Sequence, residues 1–225
     1  MDSIPNRVHV IWLGDGPIPY PDHIQRMRSI LRDWDVMVWT KENRPDDVTL
    51  NQLIAGGDFE LASHYYRILL LELYAGFYVS YNVRLDKHLR PLQVFATDAG
   101  GLVFAAHDCT YSGNDYLGND VLMAERVQNT YKNSFNWRKH FWARRFRKYC
   151  INSMTTGGRC GSELLTKYFN DQSAATDSLG RDRYGRGMVR QISPQRLWGV
   201  QIMSDLYFCG IGPQSHGEIL PNLGY

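Results

Sequence analysis

The sequence lacks any long uninterrupted hydrophobic run. Apolar stretches such as Ile68–Leu71 fall far short of the roughly 20 residues with which a helix spans a bilayer. Residues 1–5 lead into a predicted strand without an apolar leader. These absences predict no transmembrane segment and a cytoplasmic location. The apolar fraction of 44% is too high for a disordered chain, so we expect one folded α/β domain over residues 1–225.

Cysteines are few and follow no metal-binding pattern. They form neither a CxxC pair nor a zinc pattern with a nearby histidine. The four cysteines are widely spaced, at Cys109, Cys150, Cys160 and Cys209. We therefore expect free buried thiols.

Acidic residues are absent from one long segment. Between Val127 and Ser162 there is no Asp or Glu, whereas eight Lys or Arg occur. Because the net charge of the whole chain is only +2, the rest of the chain carries about −6. A polyanion or an anionic membrane surface would be attracted to the basic part.

What the sequence does contain is a β-α-β opening. A β-branched run at Arg7–Trp12 precedes a glycine-proline loop, and a helix over 21–32 and a strand over 35–39 follow. Such a connection favours parallel pairing with a right-handed crossover. Ligands of these sheets gather at the carboxyl ends of the strands, so we expect the loop after the first strand to hold a nucleotide.

Further elements are predicted along the chain. A strong helix over 58–74 leads into a buried strand over 77–79. We also expect a strand at 101–106, a strand or helix at 119–126, helices at 136–149 and 161–169, and a charged glycine-studded loop at 177–187.

Two sequence blocks resemble a known family. The first is Ile4–Gly14 (IPNRVHVIWLG), and the second joins Ala62–Arg67 to Phe77–Val83 (FYVSYNV). Their order and spacing are similar to those of the glycosyltransferase family with a DXD sugar-binding motif, which includes initiating mannosyltransferases, capsular sugar transferases and clostridial toxin glucosyltransferases. The resemblance covers roughly the first 95 residues.

The resemblance implies a GT-A fold with a Rossmann-like, mostly parallel central sheet flanked by helices. It places donor binding in about residues 1–126 and the acceptor side in about 127–225. The implied donor is a nucleotide diphosphate sugar, with a UDP-sugar favoured, and the implied transfer retains configuration. The predicted donor-binding residues are Ile11, Trp12, Leu13, Gly14, His64, Arg67, Ser80, Tyr81 and Asn82.

Aromatic and cationic side chains in these blocks suit a nucleotide. Trp12 offers a face for a planar base, although an indole at the end of an apolar strand is as typical of a core. Arg67 shares a helix face with His64, three residues before it, and its guanidinium suits a diphosphate or a hydroxyl. The alternative for Arg67 is an ion pair with Glu72 or Asp58. His64 stands where the family has Asp, which leaves the nucleotide open.

Ser80 and Asn82 stand where the family has the two carboxylates of Asp-x-Asp, which hold a divalent cation. Mg²⁺ and Mn²⁺ prefer anionic oxygen ligands, so a hydroxyl and an amide make a poorer site. Four interpretations stay open: weak metal binding through Asn82 and His216, neutralisation of the diphosphate by Arg or Lys, donor binding without turnover, or replacement of both carboxylates by design.

Asn119 and Asp120 are predicted to touch the transferred sugar and, with Arg67, form the predicted catalytic set. As a pair they are equally suited to cap a helix. Because retaining enzymes of the family commonly lack a well-placed protein nucleophile, we expect electrostatic stabilisation of the leaving diphosphate to dominate.

The segment 131–149 combines basic and aromatic residues. As a helix it presents one aromatic stripe, at Phe135, Trp142, Phe146 and Tyr149, that would pack on the sheet while a basic face meets water. A solvated face usually mixes both signs of charge, so we predict nucleic acid as the acceptor, such as a modified base in phage DNA. The predicted contacts are Arg138, Lys139, Arg144, Arg145, Arg147 and Lys148. The alternatives are a membrane-surface glycan or lipid acceptor, and an inactive protein that binds a nucleotide-sugar or DNA.

Overall fold

The computed structural model describes residues 4–96, 101–105, 117–125, 142–174, 195–197, 200–203 and 217–219. In these ranges the chain forms nine strands: β1 Arg7–Ile11, β2 Asp35–Trp39, β3 Gly76–Val79, β4 Val83–Leu85, β5 Gly101–Ala105, β6 Leu117–Ala124, β7 Gln195–Leu197, β8 Val200–Met203 and β9 Gly217–Ile219. The helices are α1 Pro21–Ile30, α2 Val48–Ala55, α3 Phe59–Tyr74, α4 Arg90–Ala96, α5 Trp142–Thr155 and α6 Ser162–Ala174.

A seven-stranded mixed sheet forms the centre of the described structure, in the order β2-β1-β3-β6-β5-β8-β7. β1 pairs in parallel with β2 and β3, and β5 pairs in parallel with β8. β6 is antiparallel to both of its neighbours, and β7 is antiparallel to β8. Five of the seven strands therefore run in one direction, which confirms the predicted α/β fold with a mostly parallel sheet. β4 and β9 form a separate antiparallel ladder.

The β-α-β opening is confirmed. α1 ends at Ile30, two residues earlier than predicted, because Leu31 leaves the helical conformation with φ −101° and ψ 50°. β1 and β2 pair along their whole length, up to Ile11 opposite Trp39. Their carboxyl ends, and the loop after Ile11, therefore lie at one edge of the sheet.

Side chains alternate between the two faces of the sheet and bury a core on each face. One core packs α1 against residues that include Val8, Val10, Phe77, Val79, Val121 and Met123. The opposite core packs α3, α5 and α6 against residues that include Ile11, Tyr78, Leu122 and Ala124. Helices thus cover both faces of the sheet, as a parallel-rich sheet requires.

Residues 117–124 form strand β6. The sequence had left open whether residues 119–126 form a strand or a helix. β6 lies between β3 and β5, and Val121–Ala124 is buried on both faces. A strand buried on both faces is a continuous apolar run without alternation, so hydrophobic periodicity could not distinguish it from a helix.

The junction between α3 and β3 depends on glycine. Asp58 caps the start of α3, where its Oδ1 accepts a hydrogen bond from the backbone N–H of Leu61 at 3.0 Å. At the other end, Ala75 has φ +56° and Gly76 has φ +97°. A Cβ on Gly76 would lie 2.7 Å from the carbonyl oxygen of Arg7. Glycine at this position therefore lets β3 begin directly beside β1.

The prediction of free thiols is wrong for two of the four cysteines. Cys150 of α5 and Cys160 form a disulfide with a Cα–Cα distance of 5.2 Å. The chain reverses after α5 at Gly157, which has φ +80°, and this turn brings the two cysteines together. Cys109 and Cys209 lie outside the described residues. Disulfides are typical of oxidising compartments, and the cytoplasmic location stays a prediction.

The three described residues of the predicted aromatic stripe pack inward as expected. Trp142 and Phe146 are buried, and Tyr149 packs against the same core. α5 extends to Thr155, beyond the predicted end at residue 149, because the first glycines of the following turn come only at 157 and 158. Residues 126–141 and the predicted loop at 177–187 lie outside the described residues. Within the described part of the chain, no helix combines the length and the apolar character that crossing a membrane requires.

Candidate functional site

A cavity of about 700 Å³ opens at the carboxyl edge of β1 and β3. Its walls are the loop after β1, the first half of α3, the turn after β3, and one residue of β6. They include every residue predicted for donor binding: Ile11, Trp12, Leu13, Gly14, His64, Arg67, Ser80, Tyr81 and Asn82. The two sequence blocks that carried the resemblance therefore meet in one space.

Trp12 lines this cavity. Its indole Nε1 donates a hydrogen bond to the carbonyl oxygen of Gly16 at 3.1 Å. The edge of its ring meets Tyr81 at a centroid distance of 5.1 Å. A Cβ on Gly14 would clash with the six-membered ring of the indole, so the ring lies directly against the Gly14 backbone. Trp12 is half-buried in the cavity wall and is not part of the sealed core.

Arg67 lies in the wall formed by α3, with only 5% of its surface exposed. Its guanidinium carbon is 4.6 Å from the centroid of the Tyr78 ring. Its Nε donates to the Ser63 carbonyl oxygen at 3.3 Å, and Nη2 donates to the Ser63 hydroxyl at 3.4 Å. These contacts fix the guanidinium at the cavity. The two alternative partners are engaged elsewhere, since Asp58 caps α3 and Glu72 binds Arg147.

Asp120 of β6 interacts electrostatically with Arg67. The backbone N–H of Ser80 donates to the Asp120 carbonyl oxygen at 2.8 Å, and the Ser80 side chain is hydrogen-bonded to the Asp120 carboxyl. Burial raises the pKa of this carboxyl, while the charge of Arg67 and the Ser80 hydrogen bond act in the opposite direction. Burial also raises the pKa of Tyr78, whose hydroxyl is hydrogen-bonded to Ser80 and Ser63.

His64 is a neutral group in the cavity wall. Burial, together with the charges of Arg67 and Arg159, lowers its pKa to about 3, so the imidazole carries no charge at physiological pH. Its Nε2 lies 3.6 Å from a Glu60 carboxylate oxygen, and Gly161 packs against the ring. A neutral imidazole has one donor and one acceptor nitrogen, which suits a ribose or a base.

The turn after β3 does not fit a divalent cation. Asn82 is 7% exposed, and its Oδ1 is buried without a hydrogen-bond partner among the described residues. The ligand set at this turn is a hydroxyl, an amide and one carboxylate that faces an arginine, whereas Mg²⁺ and Mn²⁺ favour several anionic oxygens. No group of three His, Cys, Asp or Glu in the described ranges could hold a metal ion. The predicted ligand His216 lies outside those ranges.

Arg147, predicted to contact nucleic acid, lies in a half-buried network of charged and polar side chains. Its guanidinium binds the Glu72 carboxylate, donates to the Tyr65 hydroxyl at 2.9 Å and lies 3.4 Å from an Asp47 carboxylate oxygen. Burial alone would lower the pKa of Arg147, but the hydrogen bonds that it donates to Glu72 and Tyr65 raise the pKa overall. This arginine therefore joins α5 to α3 and to the start of α2.

The other basic residues of the segment differ in position. Arg144 and Lys148 are exposed on α5, and Arg145 is half-buried. Arg144 also lies 3.7 Å from Glu72. Arg138 and Lys139 lie outside the described residues, as does the side chain of Asn119.

Sequence reasoning missed part of the cavity wall. The additional lining residues are Gly57, Asp58, Phe59, Glu60, Ser63 and Tyr78. Ser63 could have been predicted as a wall residue from the sequence, because it lies four residues before Arg67 and so on the same helix face. Tyr78 was not, because an aromatic residue in a buried strand looks like any other core residue.

No protein-family model and no curated protein sequence matches the chain. Its structure is similar to that of PaToxG glycosyltransferase, with a TM-score of 0.52 and 14% sequence identity over 79% of this chain and 73% of that chain. At this identity the likeness concerns the fold alone, a mostly parallel mixed sheet flanked by helices.

Proposed function

We propose that this chain transfers a sugar from a nucleotide diphosphate sugar, with a UDP-sugar favoured, to an acceptor. The observation that carries the proposal is the single cavity shared by Trp12 and Arg67, in a fold similar to that of a glycosyltransferase. Its volume of about 700 Å³ lies within the 300–1,000 Å³ that is usual for small-molecule sites.

The donor is proposed to lie along the cavity from Trp12 to Asp120. The base stacks against the Trp12 indole, and the ribose or base meets the neutral His64. The diphosphate lies toward Arg67, whose guanidinium suits phosphate oxygens. Asp120, which lines the cavity, then faces the transferred sugar.

The proposed reaction is transfer with retention. The bond between the sugar C1 and the diphosphate oxygen breaks, and a bond from an acceptor oxygen or nitrogen to C1 forms on the same face. The electron pair of the broken bond goes to the diphosphate, where Arg67 stabilises the added negative charge. The acceptor proton passes to the departing diphosphate or to water.

Release of nucleoside diphosphate from a panel of donors tests this function. The panel comprises UDP-glucose, UDP-galactose, UDP-N-acetylglucosamine and GDP-mannose, each with Mn²⁺ and with EDTA. Release by the wild-type chain and its loss in Arg67→Gln support a transferase. Tight binding without release supports the alternative, an inactive nucleotide-sugar-binding protein. Absence of both binding and release contradicts the proposal.

For the acceptor we propose nucleic acid, such as a modified base in DNA, held by the basic residues of the 131–149 segment. The acid-free stretch of the sequence and the exposed Arg144 and Lys148 support this choice, while the half-buried Arg147 is paired with Glu72. The affinity for duplex DNA should fall steeply between 50 and 200 mM salt. Lys148→Ala should lower this affinity for duplexes of every base sequence. Sedimentation with anionic vesicles but no DNA binding would instead favour a membrane-surface acceptor.

A further inference from the structure

Asn82 presents an unmatched hydrogen-bond acceptor to the cavity. The residue follows β3 and is 7% exposed. Its Oδ1 is buried and has no hydrogen-bond partner among the described residues, although the residue lines the cavity. Buried side-chain acceptors in native proteins are nearly always satisfied. A ligand group that donates a hydrogen bond is the natural partner for this oxygen.

The neighbouring groups of the turn already have partners. The Ser80 side chain is hydrogen-bonded to the Asp120 carboxyl and to the Tyr78 hydroxyl. The Asp120 carboxyl in turn interacts electrostatically with Arg67. The negative charge of Asp120 is therefore balanced by the positive charge of Arg67. The Ser80–Asn82 turn itself contributes no carboxylate.

Such a balance disfavours a divalent cation and favours a neutral ligand group. Mg²⁺ bound at diphosphate sites is usually held by one or two carboxylates together with phosphate oxygens. Here the positive charge on the cavity wall comes from the side chain of Arg67, and the charge of Arg159 lies near enough to help lower the pKa of His64. A diphosphate can be stabilised by guanidinium groups without a metal. The amide oxygen of Asn82 is then available to a hydroxyl.

We propose that Asn82 Oδ1 accepts a hydrogen bond directly from a hydroxyl of the donor sugar, and that the donor binds without a divalent cation at the Ser80–Asn82 turn. This inference rests on the proposed function, because it assumes that the cavity holds a nucleotide diphosphate sugar. It assigns Asn82 to the sugar and not to the diphosphate, which makes it testable by comparing UDP with UDP-sugars.

The first test is calorimetric titration in EDTA. UDP and the tightest-binding of UDP-glucose, UDP-galactose and UDP-N-acetylglucosamine are each titrated into wild type, Asn82→Ala and Asn82→Asp. We expect Asn82→Ala to bind the UDP-sugar about tenfold more weakly, the usual size of one lost hydrogen-bond partner, and to bind UDP as the wild type does. Equal weakening of UDP and UDP-sugar would overturn the assignment. Unchanged melting temperatures identify the variants that fold normally.

The second test restores the missing carboxylates. In the double variant Ser80→Asp/Asn82→Asp, 1 mM MnCl₂ in place of EDTA should raise the affinity for UDP at least tenfold, because two carboxylates now complete a cation site. The wild-type affinity should change less than threefold, and electron paramagnetic resonance should detect no Mn²⁺ bound to the wild-type chain with UDP. An increase of tenfold or more in the wild type would overturn the metal-free assignment.

The outcomes separate this inference from the proposed function. A wild-type chain that binds a UDP-sugar only with Mn²⁺ contradicts the inference and leaves the glycosyltransferase proposal standing. A wild-type chain that binds neither UDP nor any donor of the panel, with or without Mn²⁺, contradicts both.

Discussion

The guanidinium of Arg67 stacks on the ring of Tyr78, with 4.6 Å between the guanidinium carbon and the ring centroid. The contact joins α3 to β3 across the core and orients the arginine toward the cavity. A flat, delocalised guanidinium suits this stack, whereas an ammonium group has no flat face. The geometry therefore distinguishes arginine from lysine at this position, although the charge is the same.

Arg67→Lys should lower kcat/KM for donor turnover by about 10- to 100-fold, because an ammonium cannot reproduce the forked hydrogen bonds to a diphosphate. Steady-state release of nucleoside diphosphate measures the effect. Arg28→Lys is the matched control, since Arg28 is exposed on α1. Equal activity of Arg67→Lys and wild type would mean that the guanidinium does not contact the donor.

Gly14→Ala should displace the Trp12 indole. The added Cβ would clash with the ring, so the ring must move and its hydrogen bond to the Gly16 carbonyl must break. We expect UDP affinity to fall at least tenfold and tryptophan fluorescence to shift. Gly56→Ala is the control, because a Cβ there makes only a 3.4 Å contact with the Gln52 carbonyl oxygen. A Gly14→Ala chain with normal UDP affinity would remove Trp12 from the base site.

Stability should fall on mild acidification because of His9. The buried imidazole contacts the Ala75 carbonyl oxygen through Nε2 at 2.8 Å, and its Nδ1 accepts a hydrogen bond from the Trp39 indole at 3.0 Å. This arrangement requires the neutral ring. Burial lowers the pKa of His9 from 6.5 to about 4, although the bond to Ala75 acts in the opposite direction.

As the pH falls below 6.5 the unfolded chain takes up a proton on His9 before the folded chain does. Stability is therefore greatest above pH 6.5, is lost down to about pH 4, and no longer changes through this group below that. Between pH 7 and pH 5 the His9 share of the loss is about 2 kcal/mol. Urea unfolding at both pH values measures this loss. The free energy of unfolding that His9→Gln loses between the two pH values should be smaller than the loss of wild type by this amount. Equal losses in both chains would show that His9 titrates normally.

Reduction should destabilise the chain through the Cys150–Cys160 disulfide. The bond closes a loop with a sequence separation of 10, for which loop entropy gives roughly 2.5 kcal/mol. In a chain of this size that corresponds to a fall of about 5–10 °C in melting temperature. Thermal melts with and without reductant measure it. The Cys150→Ala/Cys160→Ala variant should melt at the same temperature as wild type in reductant. Reductant should lower the melting temperature of this variant by less than it lowers that of wild type. A melting temperature that reductant leaves unchanged in wild type would contradict the prediction.

Local patterns predicted the elements whose signals lie within one segment. β1, α1, β2 and α3 follow from short-range periodicity together with their caps and glycines, and each lies within two residues of its predicted bounds. The cavity wall was expected from the resemblance of two sequence blocks to a known family. Only the loop after β1 was also expected from the sheet itself, because ligands gather at the carboxyl ends of parallel strands.

Features that depend on distant pairing could not be predicted in this way. The place of β6 between β3 and β5 is set by pairing with both, and nothing in its own apolar run indicates it. The partner of Glu72 could not be predicted either. Glu72 lies five residues after Arg67 and was a candidate for an ion pair with it, but in the structure it binds Arg147 of α5. The disulfide was missed because a turn between α5 and α6 decides which cysteines meet.

The most direct test of the account is a titration of uridine and UDP into wild type, Trp12→Leu and Arg67→Lys. If the indole holds the base and the guanidinium holds the diphosphate in one cavity, Trp12→Leu weakens both ligands by the same factor, and Arg67→Lys weakens UDP while leaving uridine unchanged. If Trp12→Leu leaves both affinities intact, or Arg67→Lys affects uridine as strongly as UDP, the two residues do not bind a common nucleotide in the proposed way and the account is contradicted.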